Sequence, residues 1–164
     1  MHRAISLLTL TVLVVVLAPA LADTLTGKVV KITDGDTFYI LDANYKEHKI
    51  RLAGIDALER KQAYGLASRK HLLSIVAGKQ VTIEYKKRDR YGRIVGKVLV
   101  DGIDACLAQV KAGFAWHFKK YEHEQSPRDR ELYAESENQA RTGRLGLWRE
   151  SNPIPPWEHR RLYR

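Results

Sequence analysis

Between Thr24 and Val100 the chain alternates apolar and polar side chains in five short runs. That period of two puts one face of each run in a core and the other in water. The first run is Thr24 to Ile32. The second, Thr37 to Leu41, is rich in β-branched and aromatic residues. Lys46 to Ile55 is the third, with Ile50 and Leu52 on one face and Lys49 and Arg51 on the other; the Asn44 region supplies the turn before it. Lys79 to Lys86 and Arg93 to Val100 are the fourth and fifth, joined as a hairpin through KKRDRYG.

One gap changes period. Tyr64 to Val76 places Leu66, Leu72, Leu73 and Val76 near helical spacing, and Gly78 is suited to end that helix. The last third is helical again. Asp101 to Ala112 carries Ile103, Leu107 and Val110, and Gly113 closes it. Ser126-Pro127 reads as an N-cap with Pro at the first helical position, and this helix should run to Arg141 or Thr142 and stop at Gly143. The tail, SNPIPPWEHRRLYR, reads as an extended arm because of its prolines. These elements predict an α+β fold: a five-stranded barrel with three α-helices, for which the oligonucleotide-binding (OB) barrel is the commonest solution.

Residues 1–22 stand apart. His2 and Arg3 precede an uncharged stretch of 19 residues, Ala4 to Ala22, that ends Ala20-Leu21-Ala22. This predicts a secretory signal cleaved before Asp23; the rival is a retained membrane anchor, which Pro19 and the small-residue ending disfavour. Residues 23–148 form the expected domain and 149–164 a Pro- and Arg-rich arm. Removing residues 1–22 takes one Arg from 28 Lys and Arg and nothing from 19 Asp and Glu, so the formal charge falls from +9 to +8. A basic exported domain suits an anionic partner, whether nucleic acid, acidic polysaccharide or a membrane surface. Cys106 is the only cysteine, which excludes an internal disulfide; its neighbours make it a small buried residue. No histidine or cysteine spacing suggests zinc.

Three segments near strand ends carry chemistry: Asp34-Gly35-Asp36-Thr37, the run from Arg51 to Glu59, and Asp89 to Arg93. Each alone has an ordinary reading, since Asp-Gly and Tyr-Gly are turn signals. Together they offer more. A hard divalent cation takes carboxylates with a carbonyl and water, and Asp36 and Asp56 come from different segments to one such ion. Glu59 is spaced to deprotonate water. Arg51 and Arg93 present planar forks for phosphate and for charge developing on it. Acids for a metal, a base for water and arginines for phosphate describe metal-assisted phosphodiester hydrolysis.

In this order and at these spacings, ITDGDT, RLAGIDALE and DRYGR resemble the thermonuclease family, of which staphylococcal nuclease is a member; the resemblance covers about Leu25 to Trp148. It implies an OB barrel with three helices and a Ca²⁺-dependent, sugar-nonspecific nuclease. Such an enzyme cleaves DNA and RNA, leaving 3′-phosphate and 5′-hydroxyl ends. It assigns Asp36, Asp56 and the Ala57 carbonyl to the calcium, and Asp34 to a position near the ion that acts through its outer water. Glu59 matches the general base, and Arg51 and Arg93 match the phosphate-binding arginines. Tyr91 matches a tyrosine beside the nucleotide. Trp116 and Phe118 fall where the family places pocket tyrosines. Apart from the resemblance, the basic run Lys86 to Arg90, with Lys87 and Arg90, suits either a track for a nucleic-acid backbone or a solvated hairpin tip.

Leu58 departs from the family's proline, freeing the backbone that aims Glu59. The implied protein is secreted or periplasmic, monomeric, free of the membrane after cleavage, and favours single strands or fraying ends. Two alternatives remain: a non-catalytic nucleic-acid-binding OB module, which has no use for Glu59, and an acidic-polysaccharide binder, which leaves Asp36 and Asp56 unexplained.

Overall fold

The computed structural model describes residues 22–163; residues 1–21, which hold nearly all of the expected signal, and Arg164 lie outside the described residues. The strands are β1 (Asp23–Ile32), β2 (Thr37–Leu41), β3 (Glu47–Leu52), β4 (Ile55–Ala57), β5 (Gln80–Arg88), β6 (Ile94–Val100), β7 (Ile103–Asp104) and β8 (Ala115–His117). The helices are α1 (Gly65–Val76), α2 (Ala105–Lys111), α3 (Pro127–Thr142) and α4 (Pro156–Leu162), with 3₁₀ turns at Lys119–Glu124 and Gly146–Arg149.

β1 serves two partners. Its Asp23–Lys28 half pairs antiparallel with β5, and its Lys28–Ile32 half pairs with β2 across a bulge between Val29 and Lys31. The strand can fold over because Gly27 sits at the crossing, where a Cβ would come within 2.7 Å of the Leu41 carbonyl oxygen. The sheet runs β3-β2-β1-β5-β6, and a parallel pairing of β3 with β6 closes the ring, matching Ile50 to Ile94, Arg51 to Val95 and Leu52 to Gly96. This is the five-stranded closed OB barrel of an α+β fold. Alternate residues along the strands (Phe38, Ile40, Ile50, Val81, Ile83, Ile94 and Val98 among them) point inward, are buried and fill it.

The helices cover the barrel, with differences from the sequence reading. On α1 the buried stripe is Gly65, Ser68, Leu72 and Val76, while Leu66 and Leu73 are exposed. Ser68 goes inward because its hydroxyl donates to the Phe114 carbonyl at 2.7 Å. The second helix begins later than Asp101. Asp101 and Gly102 both take positive φ and turn the chain from β6 into β7, so Ile103 is left exposed. Asp104 then caps α2, accepting from the Cys106 and Leu107 amides. Cys106 is fully buried, its thiol pushed far up by that burial, in keeping with an inert core residue. α3 starts at Pro127, with Ser126 accepting from Asp129 N, and ends at Gly143.

The arm is not extended throughout. Pro155 and Pro156, expected to prevent a helix, start one, because the first helical positions need no amide hydrogen bond. α4 therefore stands beside the domain as a fourth helix and rests on β4. Among the described residues, no helix is long and apolar enough to cross a membrane.

Candidate active site

β4 leaves the barrel wall and pairs with β8, setting Ile55 against His117, Asp56 against Trp116 and Ala57 against Ala115. All three β4 residues are buried, which fixes the backbone direction at Asp56 and Ala57. Opposite lies the turn between β1 and β2. Gly35 is packed so closely on α1 that a Cβ would sit 1.9 Å from the Ser68 hydroxyl oxygen, and its carbonyl accepts from Gln109 Nε2 at 2.5 Å. A glycine here lets the turn lie flat on the helix, presenting Asp34 and Asp36 on its other side.

The Asp36 side chain then accepts from the Ala57 amide at 2.9 Å and from the Thr37 hydroxyl at 2.8 Å, tying the turn to β4. The pairing of Thr37 with Arg51 brings the Arg51 guanidinium beside both acids. Its Nη2 donates to Asp56 Oδ1 at 2.9 Å and to the Ile55 carbonyl at 3.3 Å. Nη1 lies 2.5 Å from Asp36 Oδ2 as an ion pair, at an angle that does not serve an N–H donor. Glu59 follows β4 and is half-buried, with its amide donating to Gln62 Oε1 at 3.2 Å.

Leu58, between them, is buried with Ala140, Leu147 and Trp148, against Tyr64 and Trp116. The segment that aims Glu59 is thus held by an apolar anchor where a proline would hold it by its ring.

Arg93 lies at the base of the β5–β6 hairpin, two residues before the Val95 that pairs with Arg51. Asp89 orients it, accepting from Arg93 Nε at 2.7 Å and from the Arg93 and Tyr91 amides. Tyr91 is exposed, with the Arg90 and Arg93 guanidinium carbons 4.8 and 5.4 Å from its ring centre. Lys87 pairs with Glu124 and rests over the Tyr121 ring. Asp34, Asp36, Arg51, Asp56, Ala57, Glu59, Lys87, Arg90, Tyr91, Arg93 and Phe118 all line one cleft of about 670 Å³. Trp116 does not join them. It packs edge-on against Trp148 and Trp157 with Arg141 over its ring.

The electrostatics follow from burial and pairing. Burial opposes the Asp36 charge, but Arg51 and the Ala57 and Thr37 hydrogen bonds outweigh it and hold the carboxyl below its usual range. Burial pushes Asp34 up to about 7, helped by the neighbouring Asp36 charge. It also pushes Asp56 up, against the pull of Arg160 and Arg51. An all-oxygen donor set of this kind suits a hard divalent cation. Among the described residues no three acids stand close enough to form a ready-made cage, however. A guanidinium takes that place: Arg160 of α4 donates to Asp56 Oδ2 at 2.6 Å and to Glu59 Oε1 at 2.7 Å. The donors fit a divalent cation, and the Arg160 guanidinium already lies against one of them, Asp56, and against Glu59 beside it.

The arm from Trp157 to Arg164 reads in sequence as a source of phosphate contacts or of surface packing, and nothing there places Arg160 on Asp56 and Glu59 or Trp157 on Phe118. Trp157 stacks on Phe118 at 5.3 Å and 14°. Arg160 lies 104 positions from Asp56, so no local pattern could link them. Pro-Pro as a helix start was the available signal for α4.

Two comparisons bear on this site. The family model described as "Staphylococcal nuclease homologue" matches residues 49–150, starting after the Asp34–Asp36 turn. An "Uncharacterized endonuclease" of Escherichia coli is 41% identical over 85% of this chain and 87% of its own length. An "Uncharacterized endonuclease" of Haemophilus influenzae is 38% identical over 98% of this chain and 86% of its own. A "Micrococcal nuclease" of Shigella flexneri is 38% identical over 92% and 88%.

Proposed function

This chain belongs to the family of staphylococcal nuclease homologues, and from that premise we propose that it is a Ca²⁺-dependent, sugar-nonspecific nuclease. It hydrolyses DNA and RNA phosphodiesters to 3′-phosphate and 5′-hydroxyl ends and is exported to the periplasm or medium. The reading rests on one observation above all: two acids, a third acid suited to act as a base, and two arginines meet in one cleft.

Asp36, Asp56 and the Ala57 carbonyl would hold the calcium, with Asp34 acting through its outer water; bound there, the ion supplies positive charge to the scissile phosphate. Arg51 is held by Asp36 and Asp56 and presents a fixed cation to a phosphate oxygen. Arg93, aimed by Asp89, supplies a second from the hairpin side and binds charge as it develops on phosphorus. Glu59 is half-exposed at the cleft, so its carboxylate can reach a water and take its proton during attack. The water's oxygen bonds to phosphorus while the bond to the 5′-oxygen breaks. Tyr91, Lys87 and Arg90 line the mouth and contact base faces or backbone without reading sequence. Such a cleft must reach both faces of the phosphodiester, which favours single strands and fraying ends.

The test is hydrolysis of denatured DNA and of RNA with calcium and with a chelator, followed by analysis of the product ends. Calcium-dependent cleavage to 3′-phosphates is expected. Tight binding of nucleic acid with no cleavage under any condition would replace the enzyme with a binding module.

A further inference from the structure

Arg160 is placed to compete with the ion that the cleft would bind. Asp56 is almost wholly buried, its side chain 1% exposed, yet both of its oxygens face guanidinium groups: Arg51 on Oδ1, and Arg160 on Oδ2 with a longer contact to Oδ1 of 3.3 Å. Arg51 belongs to the barrel wall and is mostly buried, its side chain 13% exposed. Arg160 differs: its side chain is 40% exposed and is carried by a seven-residue helix at the end of the chain. The same guanidinium spans from Asp56 to Glu59, the acid suited to activate water.

The helix has a second hold on the cleft. Trp157, one turn before Arg160, lies flat on Phe118 and edge-on to Trp116, covering a ring that faces the cleft. α4 thus occupies an ionic place and an aromatic one together, each of the kind a nucleotide and its cation would take.

Resting on the calcium-dependent nuclease reading above, we infer that Arg160 is a tethered counter-ion that a divalent cation must displace, so that α4 acts as an internal cap over the cleft. The physical reason is competition. A guanidinium fixed beside two carboxylates has a high effective concentration, and it satisfies the buried Asp56 and the half-exposed Glu59, which would otherwise repel one another. A doubly charged ion wins once its own concentration is high enough. The cap therefore sets a cation threshold rather than an on–off state. Release of Arg160 also frees Glu59 from its ion pair and uncovers Phe118 as Trp157 leaves with the helix.

The competition is measured without any substrate. Calcium is titrated calorimetrically into purified protein with its C-terminal arm intact, and into the Arg160→Ala and Trp157→Ala variants. Arg160→Ala should bind calcium about tenfold more tightly, the scale of two partly exposed ion pairs. Trp157→Ala, which touches none of the acids, should tighten binding by a smaller factor through loss of the aromatic hold. In the unaltered protein calcium alone should change tryptophan fluorescence as Trp157 leaves Phe118, and the change should shrink in Arg160→Ala. A purely structural brace predicts the opposite sign: without Arg160 the acids lose their order and calcium binds more weakly. Weaker or equal affinity in Arg160→Ala overturns the cap while calcium-dependent cleavage still stands as its own test. Failure of all three proteins to bind calcium overturns both readings.

Discussion

At Glu59 the nuclease reading makes its sharpest demand. Glu59→Gln keeps the size of the side chain and a partner for Arg160 but cannot accept a proton, so turnover should fall by about 10²–10⁴-fold with substrate affinity nearly unchanged. Steady-state kinetics with kcat and KM resolved checks it; equal loss in both would make Glu59 a structural residue. His117 makes a different prediction. Its Nε2 meets Gln125 at 2.8 Å, its Nδ1 has no partner among the described residues, and burial lowers its pKa despite the Gln125 hydrogen bond. Lys119 lowers it further, while Glu137 and Glu122 pull upward. A depressed histidine means that the unfolded chain binds the proton more readily. Its contribution is fully present above the unfolded value of about 6.5 and is lost as pH falls toward the folded one. Asp34, raised to about 7, tilts stability the opposite way in this window, so the prediction lies in the difference: the stability of the protein relative to His117→Gln should fall by up to about 1.4 kcal/mol per pH unit in denaturant melts from pH 7 to 5. The charged residues of the cleft were readable from sequence because three short motifs bring five of them in order. Trp116 was not, because an aromatic residue after a helix carries no mark telling core from cleft, and here Trp148 and Trp157 claim it.

Among the elements, α2 depends most on a single side chain. It has only seven residues, too few to hold a helix in water, and Asp104 caps it while also accepting from the buried Tyr133 hydroxyl at 2.8 Å. Asp104→Ala removes the cap and strands that hydroxyl, which should cost about 2–3 kcal/mol. Asp104→Asn, which can still cap, should cost less; thermal melts of the two variants make the comparison. The five barrel strands and α3 were legible because alternation, Ser126-Pro127 and Gly143 are local signals with local causes; the separate short strands β4 and β8, too brief to show a period, were not. The start of α2 was misread because Asp101-Gly102 extends the sheet by a second hairpin before the helix begins. α4 was misread because proline is a breaker inside a helix and an initiator at its start, and composition cannot tell these apart.

For the whole molecule, the decisive feature is the seam between β3 and β6. Among the described residues it is the one parallel pairing in the barrel, and it joins strands that the chain separates by β4, α1 and β5. Arg51 sits on the seam and Arg93 at its end, so closing the barrel and bringing these two arginines into one cleft are one event. Amide hydrogen exchange should report this: the interior seam amides of β3 and β6 should exchange only through global unfolding, while those of α4 exchange through local opening. Equal protection in both would mean that the terminal helix is as integral as the barrel. The closed ring was expected from five short strands, but its register was not, since alternation says which face is inward and nothing about which residues meet.

The bend of β1 at Gly27 has a consequence of its own. Because one strand serves both halves of the ring, the acids on β4 and the turn after β1 have no fixed relation to the hairpin that carries Arg93 until that strand is in place. A fragment ending at Val76 would carry Asp34, Asp36, Arg51, Asp56 and Glu59 and still lack the hairpin that sets Arg93 across the cleft from them. This cleft cannot be grafted as a loop onto another scaffold; whoever wishes to move it must move the barrel.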